Sequence, residues 1–273
     1  MTAGDSWAAR VWETGTGRKI AEKQVHRSAI LCAAFSPDGR RIVTGQEEDF
    51  VDVWDAATGQ NLFPWARLEA YVSAVAFSPN GRRYLAVAGS AAQVFDAETG
   101  RSIWQHLLHA EAINCAAFSP DSRLIVTAGD DNVAQAWVAD TGRRSGRTMW
   151  HAGVVNLTCF SPDGRWIATA SDDGTVRLWD SARCEPVSLP LSHMGRATGV
   201  EFSSDGRFLL TVDQSYRARL WEVARVIQPA TRLEPRGRVT AACFSHDGKR
   251  VVTTGNDGSA WILDAATGRP VGR

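Results

Sequence analysis

The sequence has no apolar run approaching the roughly 20 residues that a membrane-spanning helix needs. It has no excess of either charge, since 30 Lys and Arg stand against 30 Asp and Glu. A neutral chain lacks the electrostatic footprint of a general nucleic-acid binder, so neither nucleic acid nor membrane is expected as a partner. The N-terminus, MTAGDSWAAR, shows no basic stretch leading into an apolar core, so no secretory signal is visible and a cytoplasmic location is expected. Cysteine is scarce and odd in number, with five residues and no CxxC pair, which argues against a disulfide framework. Cys32 and Cys115 stand three residues before a Phe-Ser pair, and Cys159 and Cys243 one before, so they read as small buried hydrophobes on strands. No GxSxG, HExxH or P-loop string is present.

The chain does have 44% apolar and 22% charged residues, close to globular averages, together with eleven tryptophans and a repeat. FSPDGR begins at Phe35, and variants begin at Phe77, Phe118, Phe160, Phe202 and Phe244, in steps of 42, 41, 42, 42 and 42. A second marker follows each: Trp54-Asp55, Phe95-Asp96, Trp137-Val138, Trp179-Asp180, Trp221-Glu222 and Leu263-Asp264. Trp12-Glu13 lies 23 residues before Phe35, the same spacing that separates every later marker from the next Phe, so a partial unit opens the chain.

Each unit reads as short strands. AAFSPDGRRIVTG places an apolar strand before a turn, in which Pro presets φ at the second position and Gly permits φ above zero. RWIATAS and TVRLWD alternate as half-buried strands do. Thr-Gly after most markers signals another turn, and a fourth, more polar strand such as QNLFPWARL follows. Four strands in about 42 residues is the pattern of a propeller blade, which hides its apolar faces only by stacking on neighbours.

With these motifs in place, the chain resembles the WD-repeat, β-transducin-like β-propeller family over essentially its whole length, of a bacterial type. The resemblance implies an all-β propeller of four-stranded antiparallel blades, with six full repeats after a partial one. The expected boundaries are a partial blade over 1–25 and repeats over 26–67, 68–108, 109–150, 151–192, 193–234 and 235–273. It also implies a hydrogen-bonded tetrad in each blade: a His, a Ser or Thr, an Asp and the marker Trp. Trp Nε1–H can only donate, a hydroxyl accepts and donates, and His passes the chain to a carboxylate. Two units match at all four places: His109, Thr127, Asp131, Trp137, and His151, Thr169, Asp173, Trp179. The first has His26, Thr44 and Trp54 but Glu48 for the Asp; the fifth has His193, Thr211 and Trp221 but Ser215. The sixth keeps Thr253 and Asp257 but has Pro235 and Leu263, and the second has Leu68, Ala86 and Phe95. The tetrads are expected to be struts, and the second and sixth blades to be held by packing.

Thr2 stands ten residues before Trp12, as Thr127 stands ten before Trp137, so the first unit begins partway along a second strand. The expectation is a seven-position ring with an incomplete first blade, in a segment of a longer propeller or a frame that starts late. The alternative is a six-bladed ring whose last blade is completed by Lys19–Val25.

Columns that repeat specify fold, and columns that vary are where a partner can be read. Six residues before each Phe stand Ala29, Tyr71, Ala112, Val154, Arg196 and Arg238; five before the markers other than Phe95 stand Trp7, Asp49, Asn132, Gly174, Tyr216 and Gly258. Tyr, Trp and Arg are enriched in interface hot spots, so Trp7, Asp49, Tyr71, Arg196, Tyr216 and Arg238 are the candidate protein-binding residues. His106 with His109 lacks a third metal ligand, Glu47-Glu48-Asp49 lacks a calcium-loop spacing, and Asp247 beside His246 belongs to a turn. No catalytic residue, metal or cofactor is therefore assigned. The expected function is a non-enzymatic scaffold binding a protein or peptide on the top face, as a monomer or as part of a larger chain or complex. Alternatives are the regulatory or sensor segment of a larger protein, such as a bacterial Ser/Thr kinase, and a propeller enzyme of the quinoprotein or lactonase sort.

Overall fold

Every Phe of the repeat ends a strand. In the computed structural model, which describes residues 8–23, 28–104, 107–225, 229–232, 239–255, 258–265 and 267–272, the first strands of the units are Ile30–Phe35, Val72–Phe77, Ile113–Phe118, Val155–Phe160, Ala197–Phe202 and Val239–Phe244. The markers close the third strands, as in Phe50–Asp55, Thr175–Asp180 and Ala218–Glu222. Among the described residues there are six four-stranded sheets, each a meander of consecutive strands, and one two-stranded sheet of Ala9–Trp12 with Lys19–Lys23. Pairing is antiparallel, for example Thr169 opposite Thr158 on one side and Arg177 on the other. The first strand slips register against the second at one repeated place, such as Val155/Leu157 and Ala197/Gly199. A bulge there adds local twist.

The turns follow from their residues. In the Ser-Pro-Asp-Gly turn, Gly39 N donates to Ser36 O at 2.9 Å with Gly39 at φ 70°. Ser36 Oγ donates to Asp38 Oδ1 at 2.5 Å, and the same carboxylate accepts from Arg40 N at 3.0 Å. The marker Asp does likewise, Asp55 Oδ1 accepting from the backbone N of Ala57 and Thr58 and from Thr58 Oγ1. One reading is corrected: QNLFPWARL is not a continuous fourth strand. It pairs only at Ala66–Arg67 and at a bridge from Trp54 to Asn61, because Pro64 between them has no N–H to give a ladder.

The chain divides into two compact units, Met1–Ile125 with Trp137–Arg143, and Val126–Ala136 with Arg144–Arg273, the division passing through the third four-stranded sheet. In the first unit Ala9, Val11 and Ala21 of the two-stranded sheet pack with Ile42 and Trp54. The second sheet has no tetrad; its Tyr84 and Phe95 rings stack at 4.9 Å and 7°, over Val43, Val53 and Leu68. Such a pair contributes about 0.5–1.5 kcal/mol beyond the area it buries. In the second unit, Leu178, Leu191, Phe202, Leu209 and Trp221 form one cluster and Leu210, Leu220, Val251 and Leu263 another. Cys32 and Cys159 are covered by the following sheet, their thiols donating to Val72 O and Val200 O. Cys243 is exposed, contrary to the sequence reading.

Candidate functional site

The fourth sheet holds a fully bonded tetrad. Trp179 Nε1 donates to Thr169 Oγ1 at 2.9 Å, His151 Nε2 lies 2.7 Å from the same oxygen, and His151 Nδ1 lies 2.9 Å from Asp173 Oδ2. Since Trp can only donate, the Thr hydroxyl donates to Nε2, and His151 is neutral with its proton on Nδ1. Burial pushes the His151 imidazole below its usual range, against the Asp173 carboxylate, which pulls the other way. Burial would raise Asp173, but bonds from Thr175 Oγ1, Ala152 N and His151 outweigh it and hold the carboxyl at about 2. A carboxylate so fully engaged is a strut, since it has no free lone pair to offer a substrate.

In the third sheet the His109 and Trp137 rings lie 6.4 Å apart, Thr127 Oγ1 donates to Gln135 O at 3.4 Å, and Asp131 Oδ1 accepts from Val133 N at 3.2 Å. The fifth sheet corrects the sequence reading. Ser215 is not its acid position; Asp213 takes that part, its Oδ2 lying 3.2 Å from His193 Nδ1 with both side chains fully buried. The acid comes from two residues after Thr211, at the end of the second strand, rather than from the turn. Trp221 Nε1 donates to Thr211 Oγ1 at 2.9 Å, while His193 Nε2 is buried without a partner among the described residues. In the first sheet Trp54 Nε1 is buried without one, and in the sixth Thr253 Oγ1. His26, Pro235 and Asp257 lie outside the described residues.

The candidate recognition residues fall in loops at the end of the sheets where first strands begin and second strands end. In the first unit, Tyr71 is 53% exposed and precedes the strand at Val72. Asp49 has φ 68° and its carbonyl accepts from Leu68 N at 2.8 Å, which brings the two loops together. In the second unit, Arg196 O accepts from Gln214 N at 2.8 Å, joining the loop 193–196 to the turn 214–217. Arg196 Nη1 reaches Asp172 Oδ2 of the preceding sheet at 3.2 Å. Tyr216 is exposed in the turn at φ 60°. Asp49, Asn132, Gly174 and Gly258 hold the same left-handed place, at φ 68°, 66°, 77° and 75°. Gly, Asn and Asp tolerate that region and Tyr does not, so Tyr216 is kept there at a conformational cost of about 1–2 kcal/mol. Trp7 and Arg238 lie outside the described residues.

Two neighbours escaped the sequence reading. Met194 is 73% exposed and its sulfur accepts from Arg217 Nη1 at 2.8 Å, beside Tyr216. The residue after the tetrad His is Ala110 and Ala152 in other units, so reading that column would have found Met194. Among the described residues no group of three His, Cys, Asp or Glu is placed to hold a metal, and no helix is long and apolar enough to cross a membrane.

The family model "WD domain, G-beta repeat" matches residues 144–180 and 228–264. The model described as "Outer membrane protein assembly factor BamB" matches residues 6–154. An uncharacterized WD repeat-containing protein of Schizosaccharomyces pombe is 38% identical over 48 residues, which is 18% of this chain and 12% of that protein. The crystal structure of the computationally designed Ika8 protein superposes with a TM-score of 0.87 at 22% identity, covering 98% of this chain and 81% of the other. That likeness shows the fold, a β-propeller of four-stranded antiparallel blades. Residues 144–180 and 228–264 are thus matched as WD repeats of a β-propeller, and the chain belongs, through residues 6–154, to the propeller-repeat family that the second model describes.

Proposed function

We propose that this protein is a non-enzymatic scaffold that binds a protein or peptide through the second unit's loops, which hold Arg196 and Tyr216. The observation that carries the reading is Tyr216. A bulky exposed aromatic occupies a left-handed turn position that four other units give to Gly, Asn or Asp. It stands with Met194, Arg196 and Arg217, residue types that interface cores favour. A bulky side chain held at a conformational cost in an exposed turn fits selection for contact with something outside the chain. WD-repeat propellers in general act by protein interaction rather than catalysis, and the His–Asp pairs here are buried and internally bonded.

The test is quantitative affinity capture with wild type and with the Arg196→Ala/Tyr216→Ala variant, each checked for native circular dichroism, with Tyr71→Ala of the first unit tested separately. Loss of specific captured proteins is expected. An unchanged set from a folded variant removes these loops as the recognition surface.

A further inference from the structure

The opposite end of the sheets, where the marker turns lie, carries a second feature. Four residues after the left-handed turn residues Gly59, Gly100, Gly142 and Cys184 stand Phe63, Trp104, Gly146 and Ser188. The places are equivalent: Leu62 N, Ile103 N and Val187 N, one residue earlier, each donate to the third strand, at Val53 O, Val94 O and Leu178 O. At two junctions between successive sheets this column fills the gap. Phe63 lies over Gly100, where an added Cβ would come within 2.5 Å of Phe63 Cγ. Trp104 lies over Gly142 in the same way, at 2.8 Å, and its Nε1 donates to Ala139 O at 3.1 Å. Arg41 and Arg83, from the starts of second strands, add bonds to Ala97 O and Asp140. At the next junction the sizes are exchanged: Gly146 faces Cys184, where a Cβ would come within 2.7 Å of the sulfur.

The junction between the fourth and fifth sheets has none of these fillers. Ser188 replaces the ring, Trp166 stands in the column of Arg41 and Arg83, and a 3-10 turn, Val223–Arg225, replaces the Thr-Gly turn. What remains is a cavity of about 530 Å³ lined by Trp166, Leu178, Val187, Asp205, Arg207 and Val223. That is within the usual size range of ligand pockets. Val187 and Leu189 beside it are 42% and 70% exposed. Asp205 is already engaged by Ser203 Oγ and Arg207 N, and the Arg165 and Arg207 guanidinium groups lie over the rings of Trp166 and Phe208. The lining combines apolar and aromatic side chains with Asp205, Arg207 and Glu222, each of which already has a partner within the chain.

The geometry points to this cavity as a socket for an aromatic side chain, tryptophan above others, carried by a partner polypeptide. The chain itself shows what fits. At two equivalent junctions it seats a ring of its own, and at Trp104 the indole N–H finds the carbonyl of Ala139. Val223 is the counterpart of Ala139, since their N–H groups donate alike to Arg207 O and Arg123 O at 2.8 Å. The site lies at the other end of the fifth sheet from Tyr216 and does not depend on the loop surface.

The experiment titrates the full chain with N-acetyl-tryptophanamide and with N-acetyl-leucinamide, following the methyl resonances of Leu178, Val187 and Val223 by NMR. Saturable shifts at these methyls are expected for the tryptophan probe, with binding about tenfold weaker for the leucine probe, whose side chain has neither a ring nor an N–H to donate. Ser188→Trp, which supplies the missing ring from within, is expected to raise the melting temperature and abolish the shifts; Ser188→Phe provides the same test if the larger ring does not fold. Arg196→Ala/Tyr216→Ala is expected to leave the titration unchanged. Absence of saturable shifts, equal binding of both probes, or undiminished binding to a folded, plugged variant would overturn the proposal.

Discussion

Replacing the tetrad hydroxyls with a methyl tests the strut role through a graded series. Thr169 Oγ1 is bonded to both Trp179 Nε1 and His151 Nε2, inside a strand with no exposure. Thr169→Val keeps the shape and strands two buried polar groups, and each such loss costs about 1–3 kcal/mol, so destabilisation of about 2–4 kcal/mol is expected. Thr211 Oγ1 serves Trp221 but not His193 Nε2, so Thr211→Val strands one group and should cost about 1–2 kcal/mol. Among the described residues Thr253 Oγ1 is buried without a partner, since Leu263 at the marker offers no N–H. Thr253→Val should therefore be within about 0.5 kcal/mol of neutral, or stabilising, since it removes an unpaired hydroxyl. Urea unfolding midpoints, with slopes checked for constancy, give the three values. Equal costs at the three positions, or a larger cost at Thr253 than at Thr169, would refute the reasoning.

Asp213→Ala should destabilise by about 1–3 kcal/mol because it leaves the His193 Nδ1–H buried and unpaired, whereas Ser215→Ala should be near neutral; thermal unfolding of both decides which residue is the acid of that sheet. Burial keeps His151 and His193 below the usual histidine value. The unfolded chain therefore takes up their protons at higher pH than the folded one, and stability should fall as pH drops below about 6.5. Asp173 adds a second loss at lower pH: its contribution is full above the ordinary carboxylate value of 3.8 and disappears as pH falls to about 2. A urea midpoint independent of pH between about 7 and 5 would contradict the histidine assignment. Tyr216→Asn, placing Asn in the left-handed turn as Asn132 does, should raise stability by about 1 kcal/mol while weakening partner capture. Amide exchange should be faster in the second sheet, which relies on the Tyr84–Phe95 stack, than in the fourth.

The frame was readable because its markers are rigid in spacing and each has a mechanical part. Phe closes every first strand, the marker every third, and Gly39 and Gly59 stand where φ is positive. Fourth strands were poorly readable. They carry few apolar positions and tolerate Pro64, so pattern alone could not separate Ala66–Arg67 from the long strand Arg144–Trp150. The acid of the fifth tetrad was misread because alignment by column assumes one backbone route to the His. Asp213 reaches His193 from the strand end, a contact that only three dimensions reveal. Variable columns pointed to Arg196 and Tyr216, but Met194 and the cavity beside Ser188 depend on what neighbouring sheets bring, and spacing within one unit does not encode that.

The central claim is that a regular, internally bonded frame presents an irregular loop cluster for recognition. Oxidative footprinting of the full chain, free and bound to its captured protein, tests it most directly, because Met194 and Tyr216 are both reactive and exposed. The account predicts strong protection of both side chains on binding. Reactivity at Met194 and Tyr216 that is the same bound as free would contradict it.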